Sequence, residues 1–557
     1  MPTSSSTSKS VVEAVTYSPK ELRCLLAKYS LADRPLVDSK THLTYFDEYF
    51  GTLKAKTIVV ESPYTDGDFL DDYAAYYVRC LDKYRSRCVR LHFFRVAFTD
   101  SELRSAAMRR SVRLNERTLQ KAYLGFIVVK PLPETIVGRT CLRTYPEGKR
   151  RHYPATRSYN VHLLGFKLTV ESLAFQEQDT VAAACATSAL WSVLQGTGVL
   201  FQHAITSPVE ITKNATEHVR DATREFPNYG LYPVQMADAI RAAGLTPELI
   251  GVAEADTLRA TVYGYLKAGI PILLNAALYD TSETDPDTGG PVLVGGHAVA
   301  VTGFRMGLAK PRPHPDTGTL LTSSKISKLY VHDDGVGPFA RLTFGTPPIT
   351  FTNQLLKDVG VLKDVSLTMG SSWPGMDGMH PENGEIGPVR FAPDALIVPL
   401  YHKIRVRFDT ILGEVLSADR VIERIRTVVP NIISQRLEWE IFLATEGDMK
   451  SDIGRCSTLS PDQRWAILQT EFPRFIWRVI ARDRGARVLE FLYDATDIEQ
   501  GDFLADVVPH NQLLHDVLQH VLRDFKFLRH VQSILEAVSG LKHVRWLRGF
   551  HTDSAAL

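Results

Sequence analysis

Between residues 166 and 342 helical text comes first and strand text follows, and this order restricts the fold more than any other feature of the chain. An Ala-rich helix is expected over 182–195. A second, PVQMADAIRAAG (233–244), runs up to Gly244, which can close a helix in the left-handed conformation. The strand-like runs PILLNAAL, HAVAVTGF and KLYVHDD come next. Helices first and strands later describe an α+β domain with a helical half and an antiparallel sheet half. Two polar, Pro/Gly-rich stretches, 279–291 and 309–319, interrupt the sheet half. Both are expected as surface loops, placed where they could border a substrate cleft.

At 557 residues the chain exceeds what one hydrophobic core usually serves, so further domains are expected on either side. Residues 35–165 predict a mixed α/β domain. TIVVES (57–62) and LGFIVVKPL (124–132) read as strands, and 69–84 sets Leu70, Tyr73, Tyr77 and Leu81 at helical spacing. Residues 1–34 begin with a polar Ser/Thr run and are expected as a disordered tail. The central α+β domain is expected over 166–368, and the Gly/Pro-rich stretch 369–388 reads as a linker. Residues 389–557 predict a second α/β domain with strands in ALIVPLYHKIRV, LEWEIFLAT, RFIWRVIAR and RVLEFLYDA and helices over 410–427 and 509–545. The last helix repeats apolar residues at three and four and is expected to pack on its own domain.

Sixty-four basic side chains against sixty-three acidic ones leave a formal charge of +1, which gives no reason to expect a nucleic-acid partner. The most apolar short stretch, Ala268 to Leu278, is far shorter than a membrane span, and the N-terminus lacks the apolar core of a signal peptide. Six scattered cysteines, at 24, 80, 88, 141, 185 and 456, form neither a disulfide scaffold nor a zinc motif. A soluble cytoplasmic protein without membrane association, metal or cofactor is expected.

The chemistry concentrates in three places. In QDTVAAACATSALWSVL (178–194), Cys185 precedes an apolar helical run. A thiol is nucleophilic only as thiolate, and the positive potential of a helix N-terminus favours that form. An upstream amide, Gln178 or in its place Gln176, can join the Cys185 backbone N–H in meeting an oxyanion. In GGHAVAVTGF (295–304), two glycines leave room beside His297 at the start of an apolar strand. In KLYVHDDGVGPFARL (328–342), a strand ends at Asp333 and Asp334, either of which can accept the second imidazole N–H. Strand alternation lets one of the two face the imidazole, and Asp333 directly continues the strand. His332, Asp333 and Asp334 are also candidate metal ligands, but neighbours on a strand point to opposite faces and make a poor chelating set.

The order Gln178, Cys185 with its helix through Trp191, Gly-Gly-His297-Ala-Val and then His-Asp-Asp resembles the papain-like cysteine peptidase superfamily, in particular its C39-type branch. The resemblance covers residues 165–345, about a third of the chain. It implies a papain-like fold for that third, with Cys185 as nucleophile, His297 as base, Asp333 as orienting carboxylate and Gln178 as oxyanion donor. It also implies a peptide or protein substrate and a thioester intermediate. An acyltransferase or an inactive binding module would keep the same fold, with the flanking domains available to a protein partner. No ATP-binding or membrane region accompanies the motif, so export-coupled processing is not implied.

Of the six cysteines, Cys185 alone combines an expected helix start with a neighbouring base. Limiting iodoacetamide at neutral pH, followed by peptide mapping, is therefore expected to alkylate Cys185 first. An inert Cys185 beside a modified Cys24 or Cys456 would remove the nucleophile assignment.

Overall fold

The computed structural model describes residues 11–146, 148, 150–179, 184–218, 230–378, 386–429, 431–499, 501–523 and 545–550. Helices and predominantly antiparallel sheets are both abundant, in keeping with an α+β chain. The chain divides into two compact units. The first comprises Met1–Ala253, Gly269–Arg305 and Lys328–Pro399, and the second comprises Glu254–Ala268, Met306–Ser327 and Leu400–Leu557.

The first unit opens with a five-stranded meander, Val11–Thr16, Thr57–Tyr64, Cys88–Phe94, Tyr123–Val129 and Val137–Leu142, paired in chain order. The tail expected over 1–34 is thereby corrected from Val11 on, where this first strand is followed by the helix Pro19–Tyr29, which buries Leu22, Leu25 and Leu26. Cys88–Phe94 and Tyr123–Val129 are buried along their whole length, as expected of central strands covered on both faces. The last strand extends its pairing to the segment after residue 173, since Thr140 and Phe175 exchange both backbone hydrogen bonds, at 2.7 and 2.9 Å. The segment that carries Gln176 and Gln178 is thereby fixed against a sheet.

A larger sheet follows in the order Ile272–Thr284, Pro291–Met306, Ile326–Asp333, Gly337–Phe344, Met369–Gly370, Val389–Leu400 and Thr246–Gly251. Ile272–Thr284 also pairs with Val389–Leu400, so six of these strands close into a ring. Closure removes the free edges of those strands and gives each residue a defined register. Residues 279–291, expected as a loop, belong largely to this sheet. Tyr279 and Asp280 pair with Leu293 and Val292 on one side and with Arg390 and Val389 on the other. The stretch reads as loop because residues 281–284 run past the sheet's body with their side chains in solvent.

Beside the ring lies the helix Cys185–Phe201, almost wholly buried. Gly196 explains how close it comes, since a Cβ there would stand 2.8 Å from the ring of Pro271, the residue before the first ring strand. Ser192 ties the helix to the preceding segment by donating to the Ala174 carbonyl at 2.8 Å.

The second unit is built on Glu438–Thr445, Phe475–Asp483, Ala486–Asp494 and Leu504–Pro509, antiparallel and consecutive, with Leu320–Leu321 added in parallel. The helices Phe408–Val428 and Gln512–Leu522 agree with the periodicity, and residues 524–544 of the expected final helix lie outside the described residues. No described helix is long and apolar enough to cross a membrane.

Trp191 is fully buried on the helix that begins at Cys185, and its indole N–H has no hydrogen-bond partner among the described residues. Trp191→Ala is expected to cost about 3–5 kcal/mol by cavity formation. Trp191→Phe should cost much less, because it also removes an unsatisfied donor. Thermal and urea melts of the two variants check the ranking.

Candidate active site

Cys185 is the first residue of its helix, and Ala184 at the N-cap has no side chain to satisfy the first-turn N–H groups. No acidic residue occupies that turn. The positive end of the helix is therefore left to the thiol, which is partly exposed.

His297 lies in the strand Pro291–Met306, opposite Ala276. Gly295 and Gly296 before it have no atom within 4 Å of where a Cβ would stand, so the strand approaches the imidazole through open space. The imidazole itself is buried. Its Nε2 lies 3.2 Å from Asp333 Oδ1, and the Cys185 thiol is near enough to strengthen its hold on a proton. A carboxylate only accepts, so Nε2 carries the proton and Nδ1 is the nitrogen left for the thiol. Burial pulls the imidazole's affinity for protons down, but Asp333, the thiol and Asp334 together hold it well above its usual range.

Asp333 is fully buried at the end of its strand and accepts three hydrogen bonds. Beyond His297, Trp373 Nε1 donates to Oδ2 at 2.7 Å and the Gly335 N–H to Oδ1 at 3.1 Å. The Trp373 ring stands edge-on to His297 at 5.1 Å, and Phe391 packs on it at 5.9 Å. Gly335 is required at its position, since a Cβ there would lie 2.3 Å from the Trp373 ring.

Strand alternation alone would send Asp334 away from the imidazole. Its Oδ1 nevertheless lies 3.8 Å from His297 Nε2. The pairing register between Ile326–Asp333 and Gly337–Phe344 shifts between Val331 and Asp333, and this irregularity lets consecutive aspartates lie near one ring. The turn is clamped by the helix Thr41–Leu53, where His42 Nε2 donates to the Asp334 carbonyl at 2.7 Å and Tyr45 Oη to the Pro338 carbonyl at 2.7 Å. Neither Asp334 oxygen has a hydrogen-bond partner among the described residues. Burial pushes its carboxyl up to about 7 against the pull of His297, with Asp333 adding to the rise.

His332 points elsewhere and packs edge-on against Phe175 and Phe339 at 5.7 and 4.8 Å, where burial holds it neutral with a pKa near 3. Among the described residues, the donor atoms that could gather around a cation are those of His297, Asp333 and Asp334, all within 4.8 Å of one another. A cation there would take Nε2 and compete with the His297–Asp333 hydrogen bond.

Of the two glutamines, Gln176 is buried and Gln178 partly exposed, and among the described residues no hydrogen bond joins either to Cys185 or His297. The residue between them is held firmly, because Glu177 receives Lys40 Nζ at 2.5 Å and the Val137 N–H at 2.9 Å. Residues 180–183 lie outside the described residues.

Sequence reasoning missed Trp373, His42 and Phe391. Trp373 lies within the stretch expected as a linker, whose Met369–Gly370 portion is a strand of the ring. A lone large aromatic in Gly/Pro-rich text was the available signal. No protein-family model matches the chain, and no curated protein matches it.

His297 and Asp334 both bind protons more tightly in the folded chain than in the unfolded one. Their joint contribution to stability is therefore most favourable in acid. It falls as the pH climbs from the carboxyl's ordinary 3.8 to about 7, and again as it passes from the imidazole's ordinary 6.5 to its raised value. Asp334→Asn removes the first loss, so its thermal midpoint is expected to depend less on pH between 4 and 7 than that of the parent. Parallel profiles would contradict the buried carboxyl.

Proposed function

We propose that the protein is a cysteine hydrolase of papain-like, C39-related type, acting on a peptide or protein amide in the cytoplasm. The observation that carries the reading is a thiol at an uncapped helix N-terminus, an imidazole close enough to respond to it, and the buried carboxylate on that imidazole's Nε2. On this reading the helix beginning at Cys185 and the ring bearing His297 are the two halves of a papain-like domain.

The chemistry follows from those atoms. His297 Nδ1 takes the Cys185 proton, and the thiolate attacks the substrate carbonyl carbon, forming a C–S bond and an oxyanion. The backbone N–H of Cys185 and the amide of Gln178 meet that oxyanion. Collapse breaks the C–N bond as the imidazolium gives its proton to the leaving amine. Water, deprotonated by the same imidazole, then attacks the thioester and releases the acid and the free thiol. Asp333 keeps the proton on Nε2 throughout, and Trp373 holds Asp333. Open space at Gly295 and Gly296 suits the backbone of an extended substrate better than a compact small molecule.

The test begins with an electrophilic peptide-amide probe and a peptide library. Cys185→Ala and His297→Ala are each expected to abolish turnover, and the double variant should be hardly worse than either. Gln178→Ala should lose about 2.7–4 kcal/mol of transition-state stabilisation. Asp333→Asn should impair turnover more than Asp334→Asn, because the closer of the two carboxylates makes the hydrogen bond. Full activity in Cys185→Ala, with circular dichroism unchanged, would end the reading. Transfer of the acyl group to an added amine instead of water would redirect it to an acyltransferase.

A further inference from the structure

The second unit contains another thiol connected to an imidazole and a buried carboxylate. Cys456 follows the helix Glu446–Gly454 and is partly exposed, packed against the apolar cluster that includes Met449, Ile453 and Leu459. Its Sγ lies 3.0 Å from Thr458 Oγ1 and 3.7 Å from His510 Nδ1, and Thr458 Oγ1 lies 2.7 Å from the same nitrogen. His510 Nε2 stands 3.3 Å from Glu490 Oε2.

The tautomer follows from the partners. Glu490 is fully buried and its carboxyl is held below its usual range, where His510 and Arg478 outweigh the cost of burial. A carboxylate accepts only, so Nε2 donates to it and Nδ1 must accept. The Thr458 hydroxyl then donates to Nδ1 and is free to accept from the Cys456 thiol. A proton can pass from Sγ through Oγ1 to the imidazole.

Arg478 and Arg487 both reach Asp452, at 2.8 and 2.7 Å, and Arg478 also pairs with Glu490 at 2.6 Å. Against the cost of its burial, the Arg487 guanidinium is held charged by Asp452, Glu490 and Cys456.

We propose that Cys456 is a reversible thiolation site that takes low-molecular-weight disulfides, with His510 as its base. The Cys456 proton passes to His510, and Sγ attacks one sulfur of the disulfide. A new S–S bond to Cys456 forms as the original S–S bond breaks. The departing thiolate takes the proton back from the imidazolium. The exchange needs a base for the thiol proton, the return of that proton to the leaving sulfur and access from solvent, and His510 beside the partly exposed Cys456 meets these needs.

The full-length protein is incubated with oxidised glutathione, and each cysteine's mixed disulfide is followed by peptide mass mapping, with dithiothreitol reversal as a check. Cys80 is the internal reference, being also partly exposed, and among the described residues its thiol hydrogen-bonds the Tyr76 carbonyl at 3.9 Å and no imidazole. Cys456 is expected to react about tenfold or more faster than Cys80 at neutral pH, and His510→Gln to remove most of that advantage. Equal rates at Cys456 and Cys80, or an unchanged Cys456 rate in a folded His510→Gln protein, would overturn the proposal. Should His510→Gln fail to fold, Thr458→Val at its exposed position takes its place, and the same slowing or its absence decides. Reaction at Cys185 has no bearing on either outcome.

Discussion

An imidazole withdrawn from water keeps a proton only where a fixed acceptor meets it, and the candidate site depends on how firmly Asp333 is fixed. Asp333 spends its acceptor capacity on His297, Trp373 and the Gly335 N–H, so its orientation is determined from three directions. Those directions come from three separate stretches of chain, and the helix Thr41–Leu53 steadies the turn beneath them through His42 and Tyr45. Asp334 bears the cost of this arrangement. Its carboxyl is buried beside an already satisfied pair with no hydrogen-bond partner among the described residues, and it resists ionisation accordingly.

The parts of the site that were legible in the sequence are those with a local signal. Cys185 announces itself by standing at the head of an apolar helical run, and the helix does begin at that residue. His297 is marked by two glycines and an apolar strand, and the strand is present with open space at both glycines. The choice between Asp333 and Asp334 was argued from strand alternation, which the register shift after Val331 locally suspends, so both approach the ring at unequal distances. Trp373 and His42 lie 76 and 255 residues from His297 in the sequence, and nothing in their own neighbourhoods says which residue they will meet. The fold divides in the same way. Most strands and helices follow from periodicity, whereas residues 279–284 looked like loop because polar side chains on a strand that runs into solvent carry no apolar alternation.

The two thiol clusters also show what burial does to a shared wiring pattern. In each, one imidazole nitrogen is committed to a buried carboxylate and a thiol lies beside the ring. Around Asp333 the remaining partners are neutral donors, an indole and a backbone amide, whereas Glu490 is met by the charged Arg478.

The closed ring of strands has a consequence for when the site exists at all. Ile272–Thr284 and Val389–Leu400 are partners separated by more than a hundred residues, and the second strand brings Phe391 onto the His297 ring. During synthesis, Cys185, His297 and Asp333 have all left the ribosome before Val389–Leu400 is complete, yet the ring cannot close and the imidazole cannot be covered until that strand arrives. The order of the sequence therefore acts as a timer, keeping the nascent chain's thiol and imidazole apart from their finished setting until roughly seven-tenths of the protein has been made.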